Sequence, residues 1–207
     1  YGADPNPVVE RVRALEPDLV IRGNHDKVAA GVEPADGFNH AARYAAMWTL
    51  DHLRPDHREW LESLPRGPLV FEDVEVCHGS PDDEDEYIFE PVDAVEALRG
   101  TRKPLCFFGH THVQVGYWMS AEAFDLILPE SDGVTEVPLA ADRRYLINPG
   151  AVGQPRDGDP RAGYATYDSD ERVVRLYRIG YDVAAAQAAI SAAGLPEGLA
   201  RRLAVGK

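Results

Sequence analysis

The chain has 207 residues, 44% of them apolar and 27% charged, which is enough to bury one large core and argues against a disordered protein. A formal charge of −14 argues against a nucleic-acid-binding surface or an anionic membrane as partner, since both are gripped mainly by Lys and Arg. No apolar run approaches the roughly 20 residues that span a bilayer, and Tyr1-Gly2-Ala3-Asp4-Pro5-Asn6-Pro7 has no signal-peptide character, so one cytoplasmic domain over 1–207 is expected.

Asn6-Pro7 is a helix-start signal, and Val8, Val12 and Leu15 share one face before Pro17, which predicts a short helix over 7–16. Leu19-Val20-Ile21 reads as a buried strand that delivers Gly23-Asn24-His25-Asp26 to a loop. From Phe38 to Leu64 the apolar residues recur at helical spacing with a break at Pro55, predicting two consecutive helices. Tyr44, Met47, Trp48 and Trp60 are assigned to their core faces rather than to a nucleobase cradle. Leu69–Phe71 and Val74–Cys77 flank Glu72-Asp73 as a tight hairpin, and the second arm runs into His78-Gly79-Ser80-Pro81. A helix over 91–99 follows, then a strand, Leu105 to Phe108, that runs into Gly109-His110-Thr111-His112. Alternating stretches at 134–139, 144–148, 163–168 and 172–179 predict further strands, and 182–193 and 196–204 predict closing helices.

Four of the seven histidines, His25, His78, His110 and His112, thus follow predicted strands, where ligand sites of open α/β sheets collect. Imidazole nitrogen together with amide or carboxylate oxygen suits Mn, Fe, Co, Ni or Zn rather than Ca or Mg. His40, His52 and His57 have no partner at ligand spacing and read as surface or satisfied helix residues. The acidic run Asp82 to Glu86 reads as a solvated loop. Cys77 and Cys106, without C-x-x-C spacing, read as small buried residues in a reducing compartment. Asn148-Pro149-Gly150 is read as a turn facing the site, and Arg156 as a guanidinium able to grip a phosphate.

The ordered blocks Gly23-Asn24-His25-Asp26, His78 and Gly109-His110-Thr111-His112 closely resemble the calcineurin-like metallophosphoesterases. Residues 1–7 and 148–159 are similar to the small bacterial, YfcE-like phosphodiesterases of that family. The resemblance implies an α/β fold, a four-layer αββα sandwich of two packed mixed sheets with helices outside. It also implies two divalent transition metals, with Asn24, His78 and His110 on one and His112 on the other. His25 would be the acid that protonates the leaving oxygen, and Asp26 the carboxylate that orients its ring. A hydroxide bridging the metals would attack a phosphomonoester or phosphodiester substrate. The fold also hosts protein Ser/Thr phosphatases and non-catalytic interaction scaffolds, and both stay open as alternatives. Family members begin with a strand ending in Asp-x-His and another ending in Gly-Asp. Neither stands ahead of Asn24, so the chain is expected to lack the first βαβ unit of a longer protein and to be inactive alone.

Overall fold

The structure is a computed structural model describing residues 1–207, and the chain groups into two compact units. Tyr1–Arg66 and Asp182–Val205 form one; Gly67–Tyr181 and Gly206–Lys207 form the other.

The first unit is helical. Helix α1 (Pro5–Ala14) opens with proline in its first turn, where a missing N–H costs nothing. Val9 is its buried residue, whereas Val8 and Leu15 of the expected apolar face are exposed. Leu19–Ile21 forms no strand, and the backbone bond that follows it runs from Arg22 N to Pro65 O. Residues predicted as a polar loop instead begin helix α2 (Asn24–Ala30), which Gly31 ends in a left-handed conformation at φ 77°. Asn39 caps α3 (His40–His52) by accepting from Ala42 N at 3.0 Å, and Pro55 starts α4 (Pro55–Ser63). Asn6 ties α1 to the α3–α4 junction, donating to His52 O at 2.8 Å and accepting from Arg54 N at 2.9 Å. His57 is buried and satisfied there, its Nδ1 lying 2.9 Å from Asn6 Oδ1. Tyr44 and Met47 are exposed, contrary to the core assignment, because α3 turns its alanines 42, 45 and 46 inward.

The second unit carries the sheets. Strands β1 (Leu69–Phe71) and β2 (Val74–Val76) form the predicted hairpin, followed by α5 (Pro91–Gly100) and β3 (Leu105–Phe107). After them come β4 (Gln114–Met119), β5 (Phe124–Ile127), β6 (Thr135–Pro138), β7 (Arg144–Pro149), β8 (Ala162–Asp168) and β9 (Val173–Ile179). Six strands form a mixed sheet in the order β1-β2-β3-β7-β4-β5, and three form an antiparallel sheet in the order β6-β9-β8. Alternation along β7 explains how the sheets stack. Tyr145 and Ile147 meet Val137, Val174 and Leu176 of the smaller sheet, while Leu146 faces Ala94, Ala97 and Leu98 of α5. Helix, large sheet and small sheet are therefore three successive layers of this unit.

The chain then returns to the helical unit. Helices α6 (Val183–Ala192) and α7 (Glu197–Leu203) contribute Ile190, Leu199, Ala200 and Leu203 to a cluster with Ala45, Trp48 and Tyr1.

Candidate metal centre

Three adjacent strands of the large sheet, β2, β3 and β7, run parallel, with Val76 opposite Phe107 and Phe107 opposite Ile147. Their carboxyl ends therefore release His78, Gly109 to His112, and Asn148 to Gly150 at one edge, where α/β ligand sites collect. Gly109 N donates to His78 O at 2.8 Å, which locks the first two ends together.

The loop of Gly109 to His112 is held in an uncommon shape. His110 and His112 both adopt left-handed backbone, at φ 63° and 60°, which costs an ordinary side chain on the order of 1 kcal/mol or more each. Asn148, fully buried, sustains it. Its amide donates to Gly109 O at 2.9 Å and to Thr111 Oγ1 at 3.0 Å, while its oxygen accepts from Gly150 N at 2.9 Å. Gly150 sits at φ 87°, and a Cβ there would lie 3.1 Å from the Gln114 side chain, so glycine is required.

The imidazoles are oriented as donors. His78 Nε2 stands 3.1 Å from His110 Nδ1. Two nitrogens bound about 2.0–2.1 Å from one ion, at angles of roughly 90–110°, stand about 2.9–3.4 Å apart, so this pair fits a shared cation. His112 Nδ1 is 2.7 Å from Gln154 O. A carbonyl only accepts, so Nδ1 carries the proton and the neutral ring keeps its lone pair on Nε2, as a metal ligand needs. No group of three or more His, Cys, Asp and Glu side chains gathers around a common point, so the pair alone does not close a site.

The segment 148–159 braces this loop. Arg156 N donates to His112 O at 3.0 Å, and its guanidinium donates to Gln154 Oε1 from Nε at 3.1 Å and from Nη2 at 2.9 Å. Asp157 accepts from Gln114 N at 2.9 Å and pairs with Arg178, both side chains being nearly buried. Asp159 accepts from Arg161, which holds its carboxyl below the ordinary range. The sequence singled out Arg156, but the bonds of Gln154 O to His112, of Asp157 to Gln114 and of Arg178 to Asp157 join residues far apart in the chain and carry no local signal.

In the helical unit, Asn24, His25 and Asp26 form the first turn of α2. Asp26 Oδ2 accepts from Gly23 N at 2.7 Å, closing a capping arrangement on the helix start. The hydrogen bond given to Asp26 thus goes to backbone. Burial raises its carboxyl above the ordinary range, and the Gly23 bond opposes that rise. The His25 ring lies between the rings of Tyr1 and Phe38, with centroids at 4.2 and 4.5 Å.

Beside the His78 end, Asp82, Asp83, Asp85 and Glu86 are exposed, as a solvated loop should be. Cys77 and Cys106 are buried thiols with sulfurs 3.7 Å apart. No helix of the chain is long and apolar enough to cross a membrane.

The calcineurin-like phosphoesterase superfamily domain matches residues 2–172 of the chain. An uncharacterised protein of Methanocaldococcus jannaschii is 35% identical over 215 residues, an alignment that takes in all of this chain and 83% of that protein. The crystal structure of a metallophosphoesterase from Sphaerobacter thermophilus is 40% identical, with a TM-score of 0.84 over the whole chain and 84% of that structure. A hypothetical protein from Pyrococcus horikoshii OT3 shares the fold at 20% identity and a TM-score of 0.74, over 98% of this chain and 80% of that one.

Proposed function

Since the chain belongs to the calcineurin-like phosphoesterase superfamily and is thereby a phosphoester hydrolase, we propose that it acts on phosphomonoesters or phosphodiesters through a dinuclear centre of divalent transition metals. Asn24, His78 and His110 would hold one cation and His112 the other. Cations held there would supply Lewis-acid stabilisation of the phosphoryl oxygens and lower the pKa of water toward neutrality.

The observation that supports this reading best is the 3.1 Å separation of His78 Nε2 and His110 Nδ1 at neighbouring parallel strand ends. At this distance one ring hydrogen-bonds the other in the absence of metal, and the same separation lets both nitrogens bind one ion. His25 is assigned the proton donation to the leaving oxygen, and Asp26 the stabilisation of the helix turn that presents it. Arg156, rooted on the His112 carbonyl, is assigned to the phosphate. A cytoplasmic setting is in keeping with the two buried thiols.

These donors are neutral, so they offset none of the repulsion between two dications about 3.5–4 Å apart. The 207 residues alone are therefore expected to bind one cation weakly and to turn over slowly. The test is metal content by elemental analysis with bis(4-nitrophenyl) phosphate hydrolysis in added Mn²⁺, for the chain and for His78→Ala and His110→Ala. Loss of the bound metal in both variants supports the assignment. Unchanged metal content in both would overturn it. Two tightly held metals with rapid, chelator-sensitive turnover would show instead that carboxylates such as Asp26 or Asp82 to Asp85 complete the centre.

A further inference from the structure

The His110 ring is not bare on its outer side. Tyr87 lies against it with ring centroids 3.7 Å apart and planes tilted by 31°. Phe89 stacks on Tyr87 in turn, nearly parallel at 7° and 5.3 Å. Exposure rises along this run of rings, from 5% at His110 to 45% at Tyr87 and 57% at Phe89. Between the two aromatics Ile88 points the other way and is buried in the cluster under α5, so the backbone pins the pair outward.

The loop that carries Tyr87 is tightly built. Ser80 N donates to Asp83 O at 2.8 Å, Asp83 N donates to Ser80 Oγ at 3.0 Å, and Glu86 N donates to Asp83 O at 3.3 Å. The loop folds back so closely that a Cβ on Gly79 would lie 2.6 Å from Glu86 O and 2.7 Å from Asp83 O. Tyr87 is therefore held over His110 by backbone geometry. The stacked pair is half in water beside a candidate ligand, and its outer end at Phe89 is an apolar surface open to a further ring.

We propose that Tyr87 and Phe89 form a stacking subsite next to the metal-binding histidines, which accepts a flat ring of the phosphoester, a nucleobase being the fitting class. The inference rests on the phosphoester reading above. It rests on adjacency, since the ester group of a phosphate held at His78 and His110 must leave past the rim of the site, and the rim on the His110 side is aromatic. Exposed Asp82, Asp83, Asp85 and Glu86 flank the subsite and repel further negative charge. A nucleoside ester of a single phosphate is thus favoured over a di- or triphosphate.

Saturation-transfer NMR on the whole chain with Zn²⁺ tests this, with AMP and ribose 5-phosphate as probes that differ only in the base. AMP is expected to bind about tenfold or more tighter, with saturation strongest on the adenine protons. Tyr87→Ala and Phe89→Ala are each expected to weaken AMP by about five- to a hundredfold while leaving ribose 5-phosphate unchanged, and Tyr87→Phe to behave as the parent. Both aromatics are half-exposed, so either variant is expected to fold, and the unchanged ribose 5-phosphate affinity reports that it has. Equal binding of both probes, indifferent to Tyr87→Ala and Phe89→Ala, would overturn the subsite alone. Failure of both probes to bind the parent chain would overturn the assignment of the phosphate to the His78 and His110 site and the subsite with it.

Discussion

The side-chain amide of Asn148 donates to the carbonyl of Gly109 at 2.9 Å, joining residues 39 positions apart. Through this bond the end of β7 dictates the shape of the loop after β3, and with it the direction of two imidazoles. Asn148→Ala would leave Gly109 O, Thr111 Oγ1 and Gly150 N without this partner in a fully buried place. The expected cost is on the order of 3 kcal/mol, a fall of about 6–12 °C in the melting of the sheet unit. Zinc affinity, measured by competition with a chelating dye, is expected to fall about 10- to 100-fold, as when the partner of a metal-ligating histidine is removed.

The Asp157–Arg178 pair makes a second test. Asp157→Ala strands a nearly buried guanidinium and also removes the acceptor of Gln114 N. A loss of about 3–5 kcal/mol is expected from urea denaturation. Replacing both partners, as in Asp157→Leu with Arg178→Met, is expected to cost much less. A double variant no better than the single one would mean that the Gln114 bond, rather than the charge, dominates.

Asp26 gives a pH dependence whose sign is fixed by burial. Its raised carboxyl pKa means that the folded chain holds the proton more tightly than the unfolded one. This contribution favours folding fully below the ordinary carboxylate range, near pH 4, and is lost as pH rises through the raised value. Asp26→Asn keeps an oxygen for Gly23 N and removes the buried charge. The variant is expected to melt above the parent at pH 7, with the gain vanishing toward pH 4. A gain that persists unchanged at low pH would show that charge is not its source.

Gly79→Ala probes the loop that carries Tyr87. A methyl group would collide with backbone at Glu86 and Asp83, so the loop must shift. Overpacking of this kind costs about 1–3 kcal/mol. Proton NMR is expected to show His110 ring signals moving downfield as Tyr87 withdraws its ring current, with the β-sheet amides undisturbed.

Much of this architecture was legible in the sequence because it is written locally. The hairpin at 69–76, the helix after Pro91 and the strands through 105–107, 144–149, 162–168 and 173–179 all carry period or turn signals that the structure honours. Leu19–Ile21 had the composition of a strand, but a strand exists only beside another, and here the chain runs past Pro65 instead. Strand β5 was missed for the opposite reason. It lies at the sheet edge with Asp125 and Leu126 exposed, so no alternation marks it. Among site residues, histidines announce themselves by type. Asn148 and Tyr87 act through partners that only the fold brings near, and no window of sequence contains both halves of either contact.

The helical unit draws on both ends of the chain, since Tyr1, Ala45 and Trp48 complete their apolar cluster only with Ile190, Leu195, Leu199 and Leu203. Every strand of the sheet unit, by contrast, lies between Gly67 and Tyr181 and finds its neighbours inside that span. Synthesis therefore delivers the parts out of step: α1 to α4 leave the ribosome before the sheets, which emerge and pair behind them. Until α6 and α7 arrive, Tyr1 and α3 are a stretch of the nascent chain that chaperones and proteases meet with its apolar side uncovered.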